Sequence, residues 1–227
     1  MVVTVVIYVS HNRTPNIVIP TPAMPAVNAY NDFVLAGQIA GGMQHKTPYD
    51  SLSQFQQQLS TAYLTAFHKD AAPVLAVLRG GLSKPYLNPP ERSLRSLTFL
   101  QWARFRELAR IIAGEALYYQ RVRQPDRAVN VLLDGLEMGV MIPRGGGLNP
   151  GLVGLACDSI CTHDFEPLLP PLSPAELAQV AARLDRIDAK RTSFADVLAE
   201  EANSQIAMDM EALRDSTGIK IFALSRS

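Results

Sequence analysis

The 227-residue chain is 48% hydrophobic and carries 21 basic against 21 acidic residues. That is enough apolar material for the core of one moderate domain or two small ones, and a formal charge of zero excludes the basic footprint of a nucleic-acid binder. With only Cys157 and Cys161, the chain has neither a disulfide framework nor a paired-cysteine zinc site.

Residues 1–9 are apolar apart from Thr4, about half of the roughly 20 residues a spanning helix needs. No basic stretch precedes them and no small-residue cleavage site follows. The segment 1–11 is expected to be the end of a membrane anchor that begins upstream. The alternative is a short strand or packed tail built on Val2, Val3, Val5, Val6 and Ile7. Pro15, Pro20, Pro22 and Pro25 then predict an extended stalk over 12–27, since proline locks φ and discourages helix before it.

A helical body is expected over 28–216. Its first helix spans 28–40 and stops at Gly41-Gly42. A capping box at Ser51-Leu52-Ser53-Gln54 opens the second, with Leu59, Tyr63 and Phe67 on its apolar face. A separate short helix over 71–82 takes Pro73 in its first turn. The longest pattern begins near Glu91 or Leu94 and runs to 122, Gln124-Pro125-Asp126 breaks it, and a partner follows over 127–142. After a glycine-rich loop comes a helix over 151–165. Ser173 and Glu176 then cap a helix whose buried stripe is Leu177, Val180, Ala181, Leu184 and Ile187. The last helix covers 194–213 with Val197, Leu198, Ala202, Ile206 and Met210 inward, and 217–227 reads as an irregular end, cut from a longer protein. No stretch carries a credible sheet pattern. The fold class is therefore all-α, antiparallel helical hairpins after a proline-rich segment. The arginine-rich stretch 92–127 and the acid-rich stretch 134–215 are expected to form layers that attract each other.

In the hairpin over 108–139, Ile112 stands at a large apolar position, and Ala116, Tyr119, Ala128, Leu132 and Gly135 fall at the intervals of small and large residues at helix crossings. This spacing resembles a tetratricopeptide-type repeat. The resemblance covers this one hairpin, in which Glu115 stands where the family usually has leucine and Val140 where it usually has proline. It implies stacked helix pairs and a protein-binding groove. The whole layout is also similar to single-pass bacterial proteins with an exported helical domain.

The densest polar cluster, 157–166, contains Cys157, Cys161, His163 and Asp164, all metal-ligand types. On one helix the cysteines share a face and His163 points elsewhere, so buried cysteines beside a polar helix end are expected rather than a metal site. No catalytic residue is singled out: no Gly-x-Ser-x-Gly elbow or His-Glu-x-x-His pair selects among His11, His45, His68 and His163. His68 reads as a cation at a helix end. The loop Arg144-Gly145-Gly146-Gly147 opens a helix and offers amides to a phosphate or carboxylate, without the ending of a nucleotide loop. Trp102 reads as core packing. Glu115, a charge on an apolar face, is expected to pair with an arginine or to lie at the surface. No cofactor is expected. The function expected is a scaffold or protein-binding role on the extracytoplasmic side of a bacterial membrane. The alternative is a cytoplasmic enzyme or metal-binding protein that uses the 157–166 cluster.

Overall fold

The structure, a computed structural model, describes residues 17–48, 59–93 and 99–224. Among these residues the regular elements are helices: α1 (Ala29–Ala40), α2 (Thr61–Leu82), α3 (Phe99–Arg121), α4 (Pro125–Met141), α5 (Leu148–Thr162), α6 (Pro174–Asp188) and α7 (Phe194–Leu224), with a 3-10 turn at Glu166–Leu168. The protein is all-α. The apolar tail 1–11 and the expected cap at 51–54 lie outside the described residues.

Residues 17–27 have no helical structure. Ile19, Pro22 and Pro25 turn partly inward while the two residues between each pair are exposed, the threefold repeat of a polyproline helix. The segment is extended, but part of it lies on the body. Ile17, Ile19 and Thr21 share a depression with Ala207 and Met210 of α7, and the Pro20 carbonyl accepts from Arg92 Nη2 at 3.4 Å.

Asn28 caps α1 through Oδ1, which accepts from the Tyr30 amide at 3.1 Å. The same side chain clasps the loop after α2: Oδ1 also accepts from the Leu87 amide, and Nδ2 donates to the Leu87 carbonyl. Ser60 caps α2. That helix runs unbroken through Pro73 to Leu82, where a new helix from Ala71 was expected. Interior proline costs about 3 kcal/mol, yet Leu64, Phe67, Ala71, Val74, Leu75 and Leu78 form one buried face across it, and their packing outweighs the lost hydrogen bond.

Three residues separate α3 from α4. The Gln124 amide donates to the Tyr119 carbonyl at 2.9 Å and the Arg123 amide to Gln120 at 3.0 Å, the double bond of a Schellman stop. Arg123 occupies its left-handed position at φ 58°. Pro125 then starts α4, two residues earlier than the pattern suggests, since a missing amide hydrogen is harmless in a first turn. Helix α4 is the axis of the fold: 12 of its 17 residues are buried, and it packs on α2, α3, α5 and α6. Ile112, Ala116, Ala128, Leu132 and Gly135 are buried along the α3–α4 seam, and Tyr119 is half-buried at its edge. Any Cβ on Gly135 would collide with Cys161 of α5 and lie 3.0 Å from Ile112 Cγ2, so three helices meet at that glycine.

Ser173 and Glu176 form a reciprocal capping box on α6. Only Val180 and Ile187 of that helix are fully buried; Leu177 and Ala181, expected inside, are exposed. Helix α7 continues to Leu224, past the point where an irregular end was expected. Its fixed face is Val197, Ser204 and Met210, and Leu198, Ala202 and Ile206 turn to solvent instead of inward. Polar bonds decide this rotation. Arg92 Nη1 donates to Glu200 Oε1 at 2.6 Å and to Ser204 Oγ at 3.0 Å, and the Leu148 amide donates to Glu201 Oε2 at 2.8 Å. Arg92 thereby joins the arginine-rich and acid-rich stretches.

Candidate functional site

Helix α5 is apolar on two sides. Pro150, Val153, Gly154, Cys157 and Cys161 face the core. Leu148, Leu152 and Leu155, spaced four and three residues apart, form a second stripe in which Leu152 is 63% and Leu155 60% exposed. A helix hydrophobic all round is ordinarily covered all round. Here the start of α7 covers one edge, through Val197. Between them lies a groove of about 250 Å³, floored by Gly139, Val140 and Pro143 and walled by Leu152, Leu155 and Phe194. Phe194 is 68% and Leu198 45% exposed, so the apolar surface continues along α7. At the floor, Asp158 Oδ2 accepts from Arg191 Nη1 at 3.1 Å, while Asp158 Oδ1 and Thr192 Oγ1 are buried without a partner. Burial pushes the Asp158 carboxyl up, against the pull of Arg191.

A second cluster lies between α2 and α3. Glu115 is 2% exposed, and its Oε1 stands 2.7 Å from His68 Nδ1. Its partner is thus a histidine rather than the expected arginine, and His68 sits within α2 rather than at a helix end. The His68 ring stacks on Tyr118, centroids 4.2 Å apart and planes 10° from parallel, and meets Tyr119 edge-on at 5.8 Å. The Arg127 guanidinium lies 5.9 Å from the centre of the Tyr119 ring. Glu115 Oε2 is buried with no hydrogen-bond partner. Burial raises the Glu115 carboxyl, while His68, Arg79 and Tyr119 pull it back down.

The charge line goes on from there. Arg79 Nε donates to Asp134 Oδ2 at 2.7 Å, Arg183 Nη2 to Asp134 Oδ1 at 2.6 Å and to Glu137 Oε2 at 3.3 Å, and Lys190 pairs with Glu137. It ties α2, α4 and α6 together. The raised Glu115 carboxyl sets a pH dependence. The folded chain holds that proton to higher pH than the unfolded chain, so stability falls as pH rises from the ordinary carboxylate value of 4.5 through the raised one. Glu115→Gln removes the titration. The stability of wild type relative to Glu115→Gln, measured by denaturant titration at stepped pH, is expected to decline across that window; a flat or rising difference would contradict the assignment.

The 157–166 cluster does not converge. Cys157 and Cys161 are buried and free; burial pushes the Cys157 thiol up to about 12, and burial, with smaller effects from Cys157, Asp158 and Asp134, pushes the Cys161 thiol well above its ordinary value. Cys157 Sγ donates to the Phe105 carbonyl at 3.6 Å. His163 is 62% exposed on the side chain, with Asp164 3.9 Å away. Among the described residues no group of three or more His, Cys, Asp or Glu is placed to hold a metal ion. At the glycine-rich loop the amide of Leu148 meets a carboxylate of the protein itself, Glu201. Trp102 is core, edge-on to Phe105 at 5.6 Å.

Neither the groove nor the His68–Glu115 pair was recognised as a unit in the sequence. Glu115 stood out as a charge on an apolar face, but its partner lies 47 positions earlier, beyond any local pattern. Comparison with protein-family models, curated proteins and solved structures finds no match for this chain. Among the described residues no helix is long and apolar enough to cross a membrane.

Proposed function

We propose that this chain is a helical scaffold that binds another protein, tethered by its N-terminal segment on the extracytoplasmic side of a bacterial membrane. The observation that carries the binding role is the apolar groove between α5 and α7. Leu148, Leu152, Leu155 and Phe194 present side chains to solvent around one concavity, and contiguous exposed apolar surface marks an interaction site. Its occupant is an amphipathic helix, whose i, i+4 and i+7 anchors match a groove walled by two helices. The α3–α4 hairpin serves as a tetratricopeptide-like unit, its small residues Ala116, Ala128 and Gly135 letting the helices approach. The tether reading rests on the apolar run at 1–9 and the prolines that follow.

The full-length wild type, isolated with its partner from the membrane fraction of cells that produce it, is expected to release that partner when Leu152→Asp and Leu155→Asp are combined. Both side chains are exposed, so the double variant is expected to melt as the wild type does. Retention of the partner at unchanged affinity would sink the groove as the docking surface. Recovery of the full-length protein in the soluble fraction would sink the tether.

A further inference from the structure

The His68–Glu115 pair lies apart from the groove, between α2 and α3. A buried carboxylate on α3 engages Nδ1, and a tyrosine face pins the ring. That leaves Nε2 as the free nitrogen. It has no hydrogen-bond partner among the described residues and is not among their buried unpartnered polar atoms, and the side chain is 31% exposed, so Nε2 reaches solvent. An imidazole that donates Nδ1–H to a carboxylate has its tautomer and orientation set and its Nε2 lone pair made more basic. One cation stands beside the ring: the Arg127 guanidinium lies 5.9 Å from the centre of the Tyr119 ring, which meets His68 edge-on, whereas Arg79 is held by Asp134.

We infer that His68 is a phosphoryl-acceptor histidine, taking the group on Nε2 from a donor with a phosphorus–nitrogen bond. The Nε2 lone pair attacks phosphorus and forms the N–P bond. The donor's P–N bond breaks with its electron pair going to the departing nitrogen, which leaves as a neutral amine after taking a proton from water. The positive charge that develops on the imidazole faces the Glu115 carboxylate across Nδ1–H, and that proton passes to Glu115 or is shared with it. The guanidinium of Arg127 beside the ring suits a dianionic phosphoryl group better than a neutral acyl group.

His45 supplies a contrast within the same protein. Its Nδ1 stands 2.7 Å from Asp70 Oδ2, and its amide donates to the same oxygen. The Asp70 side chain is 26% exposed against 3% for Glu115, so water screens its pull on the imidazole, and among the described residues no ring is stacked on His45 as Tyr118 is on His68. His163 is the most exposed comparator but lacks a carboxylate at hydrogen-bond distance.

The test is incubation of the full chain with phosphoramidate, with time-resolved peptide mapping of the acid-labile adduct and phosphorus–proton NMR to assign the nitrogen. His68 is expected to be labelled at Nε2, ahead of both His45 and His163, and Glu115→Gln is expected to slow its labelling about tenfold. The rank among histidines is read in the wild type, so it stands even where the variant does not fold. A His68 that stays unlabelled, that His45 or His163 overtakes, or that carries the group on Nδ1 overturns the inference. So does a folded Glu115→Gln labelled at the wild-type rate.

Discussion

Phe105→Ala is expected to remove about 3–5 kcal/mol of stability, the usual range for deleting a fully buried aromatic ring. Phe105 is wholly buried on α3. Its ring meets Tyr30 edge-on at 6.0 Å, Phe33 at 6.1 Å and Trp102 at 5.6 Å, and Tyr86 closes the cluster against Phe33 at 5.5 Å. Helices α1 and α3 therefore meet on this one ring, and the loop after α2 joins them through Tyr30 and Phe33. Edge-to-face pairs add about 0.5–1.5 kcal/mol beyond area burial, and the loop backbone, clasped by Asn28 and Asn88, has little freedom to collapse into the void. Denaturant unfolding checks this through a lower midpoint at unchanged slope. A loss below about 1 kcal/mol would mean that the ring is not the centre of the core.

Gly154→Ala is expected to lose about 2 kcal/mol net, although alanine is the better helix former by about 1 kcal/mol. The reason is the crossing of α4 and α5. A Cβ on Gly154 would stand 2.6 Å from the Gly139 carbonyl oxygen and 2.8 Å from Pro143 Cγ. A backbone carbonyl inside a helix cannot step aside, so the helices would have to separate along a packed seam. Gly80→Ala provides the internal contrast, because its Cβ would meet nothing within 4 Å on α2; it is expected to gain up to about 1 kcal/mol. Thermal melts of the two variants should shift in opposite directions. A Gly154→Ala that melts higher than wild type would mean that α4 and α5 do not touch there.

How far the chain was legible follows from where each signal resides. The capping box at Ser173 and Glu176 is written in four adjacent residues, and the structure shows it bond for bond. Pro73 misled, because a local rule for helix starts was set against a buried face of six side chains that only packing reveals. On α7 the periodicity was real and Val197 and Met210 are buried as expected, but Leu198, Ala202 and Ile206 face solvent. Val197 and Leu198 are neighbours of equal apolarity, and the choice between them was made by Arg92, distant in sequence, through Glu200 and Ser204. The groove was missed for the same reason: an apolar stripe looks alike in a sequence whether a neighbour covers it or not.

By itself the sequence determined that this protein is helical and where most of its helices are interrupted, because caps, breaks and 3.6-residue periodicity are properties of segments a few turns long. The tertiary structure alone decided that Glu115 meets His68, that Glu201 fills the amide site ahead of α5, and that Leu152, Leu155 and Phe194 remain uncovered. Each of these depends on the rotation and register of one helix against another. That choice is made by the sum of many contacts between residues far apart along the chain, and no local stretch contains it.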